Sequence, residues 1–163
     1  MEKQLHPLPP VFDTESRILI LGSFPSVLSR ETGFYYGNPR NRFWKVLSRV
    51  FCAPLPQTNG EKKRFLLDHR VALWDVIASC EISGSSDSSI RNAVPNDLSI
   101  VLEHSAVRRI YANGSTAARL YNRLLLPITH LPASPLPSTS PANASYSLEQ
   151  LEQRWKDLKQ EIG

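Results

Sequence analysis

Short continuous aliphatic runs alternate along this chain with longer segments in which apolar residues recur every three or four positions. The aliphatic runs are typical of buried strands in a parallel sheet, and they predict strands at residues 17–21, 71–77, 107–112 and 128–131. The periodic segments predict helices at residues 42–51, 60–70, 95–104, 115–125 and 147–162. Strands and helices therefore follow one another for most of the chain.

This alternation predicts an α/β fold with three layers, α/β/α, around a central four-stranded, largely parallel sheet. No Asn-Gly pair joins two strand-like runs, since Asn113–Gly114 leads into a helical segment, and so no hairpin is expected. Residues 78–94 are rich in Ser and Asp and predict a surface loop. The prolines of residues 1–16 predict a loosely ordered lead-in, and the whole chain, 1–163, is expected to form a single domain.

Residues 22–44, GSFPSVLSRETGFYYGNPRNRFW, contain most of the side chains that are suited to chemistry. They follow the first predicted strand, at the edge where open α/β sheets bind their ligands. A second loop, residues 137–143, follows the fourth predicted strand and carries three hydroxyl side chains. Aromatic rings stack on bases, amides bind their polar edges, and hydroxyls hold phosphates. Facing each other across a crevice, the two loops would suit an extruded nucleotide.

Composition and spacing argue against several other classes of site. The chain has 19 Lys and Arg against 15 Asp and Glu, a net charge of +4, which is compatible with a polyanionic partner. Cys52 and Cys80 have no metal-ligand spacing and there is no Gly-rich phosphate loop, so we expect neither a metal nor a cofactor. The absence of a long apolar run predicts no membrane association and a cytoplasmic protein, in the cytosol or nucleoid of a bacterium or archaeon.

The two loops resemble motifs of the uracil-DNA glycosylase superfamily. The first resembles the motif of the mismatch-specific branch, a G-x-N-P-G loop followed by NRFWKV, and Ser138–Ala142 resemble the second motif of the superfamily. Phe24 stands where uracil-removing relatives carry a catalytic Asp or Asn. The combination of GSFPS, FYYGNPRNRFW and LPSTSPAN resembles the hypoxanthine branch, the DNA-deoxyinosine glycosylases.

The resemblance implies a monomeric DNA glycosylase of base excision repair. It would flip a deaminated nucleotide out of double- or single-stranded DNA, hydrolyse its N-glycosidic bond and leave an abasic site. Asn41, with Asn38 second, would be catalytic. The residues expected to bind the base are Tyr36, Phe24, Asp75 and Ser23. Those expected to bind the DNA backbone are Ser26, Arg40, Ser138, Thr139, Ser140 and Asn143.

Individual residues also have structural explanations. Asn41 precedes a predicted helix and could serve only as its N-cap, worth about 1 kcal/mol of stability. Asp75 could equally brace a strand end. Lys45 fits a solvated helix face better than a Schiff-base role.

Three alternative functions stay open at this point. The enzyme could remove uracil or mismatched thymine, although Phe24 argues against this. The protein could bind nucleic acid without catalysis, or it could be a small-molecule hydrolase on the same fold.

Overall fold

The computed structural model describes residues 2–162 and contains a parallel sheet whose four strands lie in the order β3-β2-β6-β7. The strand bounds are β1 Lys3–Leu5, β2 Ile18–Gly22, β3 Val71–Asp75, β4 Ile77–Glu81, β5 Arg91–Pro95, β6 Arg109–Asn113 and β7 Ala133–Leu136. The helix bounds are α1 Val27–Thr32, α2 Phe43–Val50, α3 Asn59–Asp68, α4 Ser99–Leu102, α5 Ser115–Leu124, α6 Leu126–Thr129, α7 Leu148–Trp155 and α8 Leu158–Ile162. The predicted three-layer α/β/α fold with a parallel four-stranded sheet is confirmed.

The central strand β2 pairs in parallel with β3 on one side and β6 on the other, with Ile18 opposite both Val71 and Arg109. Every residue of β2 and β3 is buried, as their continuous apolar runs predict. Because all four strands run in the same direction, β2, β3, β6 and β7 end at one edge of the sheet. The loops that follow these ends can therefore share one site.

A second, antiparallel sheet with the strand order β1-β4-β5 was not predicted. Strand β4 is separated from β3 by a single residue and pairs with β5, so the predicted surface loop at 78–94 is largely a hairpin. The connection between these strands is long and includes a short 3-10 turn at Asp87–Ser89. It therefore lacks the two-residue Asn-Gly type of turn by which a hairpin is recognised in a sequence. Strand β5 is also mostly exposed and therefore lacks an apolar run.

The lead-in is ordered, contrary to the prediction from its prolines. Strand β1 pairs with β4, and the side chains of Leu8 and Val11 are buried in the core. Val11 also forms an isolated antiparallel bridge with Leu73. The prolines end the strand but still allow the segment to pack against the sheet.

The fourth parallel strand lies at Ala133–Leu136 and not at residues 128–131, which overlap helix α6 and the turn that follows it. Pro127 sits at the start of α6, a favourable place for proline, and Pro135 is tolerated in β7 because this strand is at the edge of the sheet. The helix predicted at 95–104 is reduced to α4, since Pro95 belongs to β5. The predicted last helix is split into α7 and α8.

Aromatic packing fixes helix α2 directly behind the first loop. The ring of Phe43 is fully buried and meets Trp155 of α7 edge-on, with ring centroids 5.9 Å apart. The apolar face predicted for this helix, which includes Val46, Leu47 and Val50, is buried as expected. The start of α2 is thus held rigidly at the edge of the sheet.

Candidate active site

A crevice of about 310 Å³ lies at the carboxyl ends of the parallel strands. One wall is the loop after β2, and the opposite wall is formed by residues 138–142 after β7. Asp75 at the end of β3 and Asn113 at the end of β6 lie between them. The prediction that the two loops face each other is confirmed.

Ten of the twelve predicted site residues line this crevice: Ser23, Phe24, Ser26, Tyr36, Asn38, Asn41, Asp75, Ser138, Thr139 and Ser140. Arg40 is exposed and does not line it. Asn143 lines a neighbouring depression, where its side-chain amide donates to the Ser138 carbonyl oxygen (3.0 Å). That contact braces the second loop.

The two candidate catalytic amides are held by the backbone through their oxygen atoms. Asn41 Oδ1 accepts a hydrogen bond from the Phe43 N–H (3.0 Å), and Asn38 Oδ1 accepts one from the Arg40 N–H (2.9 Å). Asn41 therefore caps helix α2 with its side chain, although Arg42 is the residue at the N-cap position. In the described part of the chain neither amide NH₂ group has an acceptor. Each is thus a donor group on a fixed amide in the crevice wall.

A network centred on Asn113 joins the two walls. Asn113 Nδ2 donates to Tyr36 Oη and to Thr139 Oγ1, both at 3.0 Å, and Asn113 Oδ1 accepts from the Thr139 N–H at 3.1 Å. Burial raises the pKa of Tyr36, with a further contribution from the nearby Asp75 carboxylate. Tyr36 is therefore a neutral phenol, and its ring stacks on Phe43 with centroids 4.0 Å apart.

Thr139, which was predicted to bind the DNA backbone, has several hydrogen-bond partners within the protein. Its side chain is fully buried and receives a hydrogen bond from Asn113. Its carbonyl oxygen also accepts from the Arg42 N–H (3.0 Å). The N–H, the carbonyl oxygen and the hydroxyl oxygen of Thr139 thus all have partners within the protein.

The hydroxyls of Ser138, Ser140 and Ser26 accept hydrogen bonds from backbone N–H groups. Ser138 Oγ accepts from Ser140, and Ser140 Oγ accepts from Ala142. Ser26 differs, because its hydroxyl caps helix α1 and also donates to Ser29. Ser138 and Ser140 keep their own hydroxyl protons for a ligand, whereas Ser26 does not.

Asp75 is the only predicted base-binding residue with a buried histidine partner among the described residues. Its Oδ2 accepts from His6 Nε2 at 2.8 Å, and the two side chains are 5% and 3% exposed. A Cβ atom added to Gly22 would lie 2.5 Å from Asp75 Oδ1 and 3.0 Å from the Tyr36 hydroxyl. Glycine is therefore needed there for the carboxylate to fit beneath the loop.

Asp87 contributes a second carboxylate, from the connection between β4 and β5. It accepts a hydrogen bond from the Ser23 hydroxyl (2.7 Å) and lines the crevice, while part of its surface stays open to solvent. Burial raises the pKa of Asp87, Ser23 opposes this effect, and the Asp75 carboxylate adds to it. The position of Ser23, which was predicted to bind the base, thus depends on Asp87.

His6, Asp87 and Asn113 were missed as site residues. Asn113 ends a predicted strand at the same edge as the other site residues, and this position could have identified it. Asp87 reaches the crevice, and His6 reaches Asp75 behind it, through the segments of the second sheet, which left no signal in the sequence.

The basic residues near the first loop are mostly structural. The Arg42 guanidinium donates to the carbonyl oxygens of Tyr146, Ser140 (3.1 Å) and Asn143 (3.0 Å). Arg30 donates to Gly84 O at 2.9 Å and lies over the Phe24 ring. Arg40 and Lys45 remain exposed.

Two kinds of feature, a metal-binding cluster and a membrane-spanning helix, are absent from the described residues. Within residues 2–162, no group of three or more His, Cys, Asp or Glu side chains is placed to hold a metal ion. In the same residues, no helix has both the length and the apolar character needed to cross a membrane.

Comparison with known proteins gives consistent relatives. A family model described as the uracil DNA glycosylase superfamily matches residues 9–159. A hypoxanthine DNA glycosylase from Methanosarcina acetivorans is 36% identical over 149 residues, which are 91% of this chain and 93% of the relative. Another from Methanosarcina barkeri is 35% identical over 94 residues, 57% of this chain and 60% of the relative.

A solved structure has the same architecture. It is a solution NMR structure from Methanosarcina acetivorans, described as a candidate uracil DNA glycosylase. It superimposes with a TM-score of 0.81 at 34% identity and covers 95% of this chain and 96% of its own.

Proposed function

Because this chain belongs to the uracil DNA glycosylase superfamily, we propose that it excises a deaminated base from DNA, with hypoxanthine in deoxyinosine as its main substrate. Two relatives named hypoxanthine DNA glycosylase support this substrate. So does Phe24, which occupies the position where uracil-removing relatives are expected to have a catalytic amide or carboxylate. The chain would act as a monomer in the cytosol, on single- or double-stranded DNA.

The observation that carries the proposal is the free oxygen of Asp75 beside the ring of Tyr36. Among the described residues no group donates to Asp75 Oδ1, and Asp75 and Tyr36 both line the crevice. Hypoxanthine has a protonated ring nitrogen, N1–H, that can donate to this oxygen. One face of the Tyr36 ring is covered by Phe43, which leaves the other for stacking on the base. Such stacking contributes about 1–3 kcal/mol per base.

Asn41 and Asn38 provide the donors that the leaving base needs. As the bond between C1′ and the purine nitrogen breaks, its electron pair moves onto the base, and an N–H donor stabilises that charge. The oxygen of water then bonds to C1′, and its proton is lost to solvent or to the departing base. The products are free hypoxanthine and an abasic sugar.

A lyase step on the abasic product is not part of the proposal. It would need an amine at the sugar, and Lys45 is exposed on α2 outside the crevice. Ser138 and Ser140 would donate their hydroxyl protons to the flanking phosphates.

The test is strand cleavage of labelled duplex and single-stranded oligonucleotides, each with one hypoxanthine, uracil, xanthine or mismatched thymine. We expect breaks at hypoxanthine only after alkali treatment, because alkali is needed to cleave an abasic site. Lys45→Ala serves as the control and should cleave like the wild type. Cleavage mainly at uracil or thymine would refute the substrate assignment, and tight DNA binding without any cleavage would show a silent binding module.

A further inference from the structure

His6 lies outside both loops, yet its ring touches the carboxylate at the end of the crevice. It follows strand β1 and is fixed at both nitrogen atoms. Nδ1 accepts a hydrogen bond from the Leu8 N–H at 3.1 Å, and Nε2 lies 2.8 Å from Asp75 Oδ2. The ring also meets Phe24 edge-on, with centroids 5.8 Å apart.

The contact with Leu8 determines where the proton of His6 lies. A backbone N–H can only donate, so Nδ1 must present a lone pair, and the single ring proton of neutral histidine is therefore on Nε2. Nε2–H then donates to Asp75 Oδ2. In the opposite tautomer the Leu8 N–H would face the Nδ1 proton, and two partly buried hydrogen bonds would be lost.

Fixing Oδ2 in this way leaves Oδ1 as the atom of Asp75 that can meet a ligand. A carboxylate oxygen accepts hydrogen bonds and cannot donate them. It therefore favours a base whose ring nitrogen carries a proton and disfavours one whose ring nitrogen presents a lone pair. Hydrolytic deamination makes this change, since adenine N1 is a lone pair and hypoxanthine N1 carries a hydrogen.

We propose that His6 is a positioning residue that holds Asp75 as an acceptor-only group, so that the crevice favours a base with a ring N–H and thereby distinguishes hypoxanthine from the adenine that it derives from. This inference rests on the proposed function and adds the part of the chain that sets its substrate class. His6 is not among the residues that line the crevice and does not touch the base. It acts only through Asp75: the Leu8 N–H donates to His6, His6 donates to Asp75 Oδ2, and the ligand donates to Asp75 Oδ1 from the crevice.

The direction of donation leads to a reversal test with Asp75→Asn. With His6 present, the new amide oxygen accepts from Nε2–H and its NH₂ group faces the crevice, where it meets hypoxanthine N1–H donor to donor. We expect the single-turnover rate on deoxyinosine to fall about 10- to 100-fold. Adding His6→Leu frees the amide to turn its oxygen to the base, so the double variant should recover several-fold over Asp75→Asn.

His6→Leu alone should lower the deoxyinosine rate about tenfold, because Asp75 is no longer oriented. His6→Gln, whose amide can still donate to Asp75, should retain most of the activity. His104→Leu, an exposed histidine on another surface, and Asp68→Asn, an exposed carboxylate, are the matched controls and should leave the rate unchanged. Thermal unfolding of each variant separates a lost orientation from a lost fold.

The tautomer can be measured without any substrate. In ¹⁵N-resolved NMR spectra at neutral pH, with His6 assigned by its absence in His6→Gln, we expect a protonated Nε2 and an unprotonated Nδ1. A proton on Nδ1 would overturn the inference, as would a double variant that is no faster than Asp75→Asn. A wild type that cleaves no hypoxanthine would instead refute the proposed function, whatever the tautomer.

Discussion

At the scale of single residues, the structural role of Asn41 and the chemical role proposed for it fall on different atoms. Its oxygen caps helix α2, and its NH₂ group lies on the crevice wall without a protein acceptor among the described residues. Asp and Asn cap helices about equally well, whereas only Asn can donate from its side chain. The two roles can therefore be separated by substitution.

We predict that Asn41→Asp keeps the stability of the wild type and lowers hypoxanthine excision at least about 100-fold, because the donor to the leaving base is lost. Asn41→Ala should lose the same activity and about 1 kcal/mol of stability, because the cap is lost as well. Single-turnover rates and urea unfolding of the two variants test this. Normal activity in Asn41→Asp would show that Asn41 only caps helix α2 and does not act as a donor to the leaving base.

The raised pKa of Asp87 implies that the stability of the protein depends on pH at this residue. The folded protein binds this proton more tightly than the unfolded chain, so ionised Asp87 lowers stability at neutral pH, and the penalty disappears below the ordinary pKa of the group. Asp87→Asn, which can still accept from Ser23, should raise the melting temperature at pH 7 by at most about 2 °C, since solvent screens a partly exposed carboxylate. The gain should vanish at pH 3. A gain that grows on acidification would contradict this assignment.

Site residues could be predicted where they share a motif or a sheet edge. Tyr36, Asn41 and Asp75 were predicted because the motif and the strand ends place them. His6 was not, since its partner lies 69 positions away along the chain and a lone histidine among prolines carries no pattern.

At the scale of elements, Asn113 connects the end of β6 to both loops. It is the common partner of Tyr36 and Thr139, and the Gly114 that follows has φ +97° and lies against Ser138. The crevice geometry is therefore set by the end of one strand.

We predict that Asn113→Ala destabilises the protein by about 1–3 kcal/mol, because it leaves the buried Thr139 groups without partners. It should also lower excision more than this stability loss explains, since the Tyr36 hydroxyl loses its donor. Asn122→Ala, an exposed asparagine on α5, is the matched control. Urea unfolding and single-turnover rates measure the two effects, and a variant as stable and active as the control would refute the role.

The elements that were predicted correctly are those with an unambiguous apolar pattern. Strands β2 and β3 are buried throughout, and α2 has one continuous apolar face. Strand β5 is mostly exposed and β1 has three residues, so neither shows a clear pattern. The position of β7 was missed because Pro135 within the strand, and the prolines on either side of it, are typical of a loop.

At the scale of the whole molecule, the charge available for DNA is smaller than the sequence indicates. The net charge is +4, but Arg42 and Arg30 are engaged by carbonyl groups of the protein. Arg40 is the exposed cation of the first loop that lies closest in sequence to the two candidate catalytic asparagines.

Because the exposed Arg40 can contact a phosphate, the affinity for DNA should weaken as the salt concentration rises. Arg40→Ala should reduce the slope of the logarithm of the association constant against the logarithm of the salt concentration by about 1, without changing base preference. Fluorescence anisotropy with an inosine-containing duplex measures this slope. Arg64→Ala, which removes an exposed arginine paired with Asp68 on α3, is the control and should leave it unchanged. An unaltered slope in Arg40→Ala would remove that residue from the DNA interface.

The hydrogen bonds from the Arg42 guanidinium to the second loop affect how the excision rate depends on the base opposite the lesion. Arg42 ties the second loop to the start of α2, so the width of the crevice that receives the base stays fixed. The free energy needed for base flipping is then mainly the cost of breaking the base pair in the DNA. Excision should then follow the weakness of the damaged pair: deoxyinosine opposite thymine should be lost faster than deoxyinosine opposite cytosine. An adenine that has just deaminated still faces thymine, so a crevice of fixed width would favour fresh lesions over those already copied.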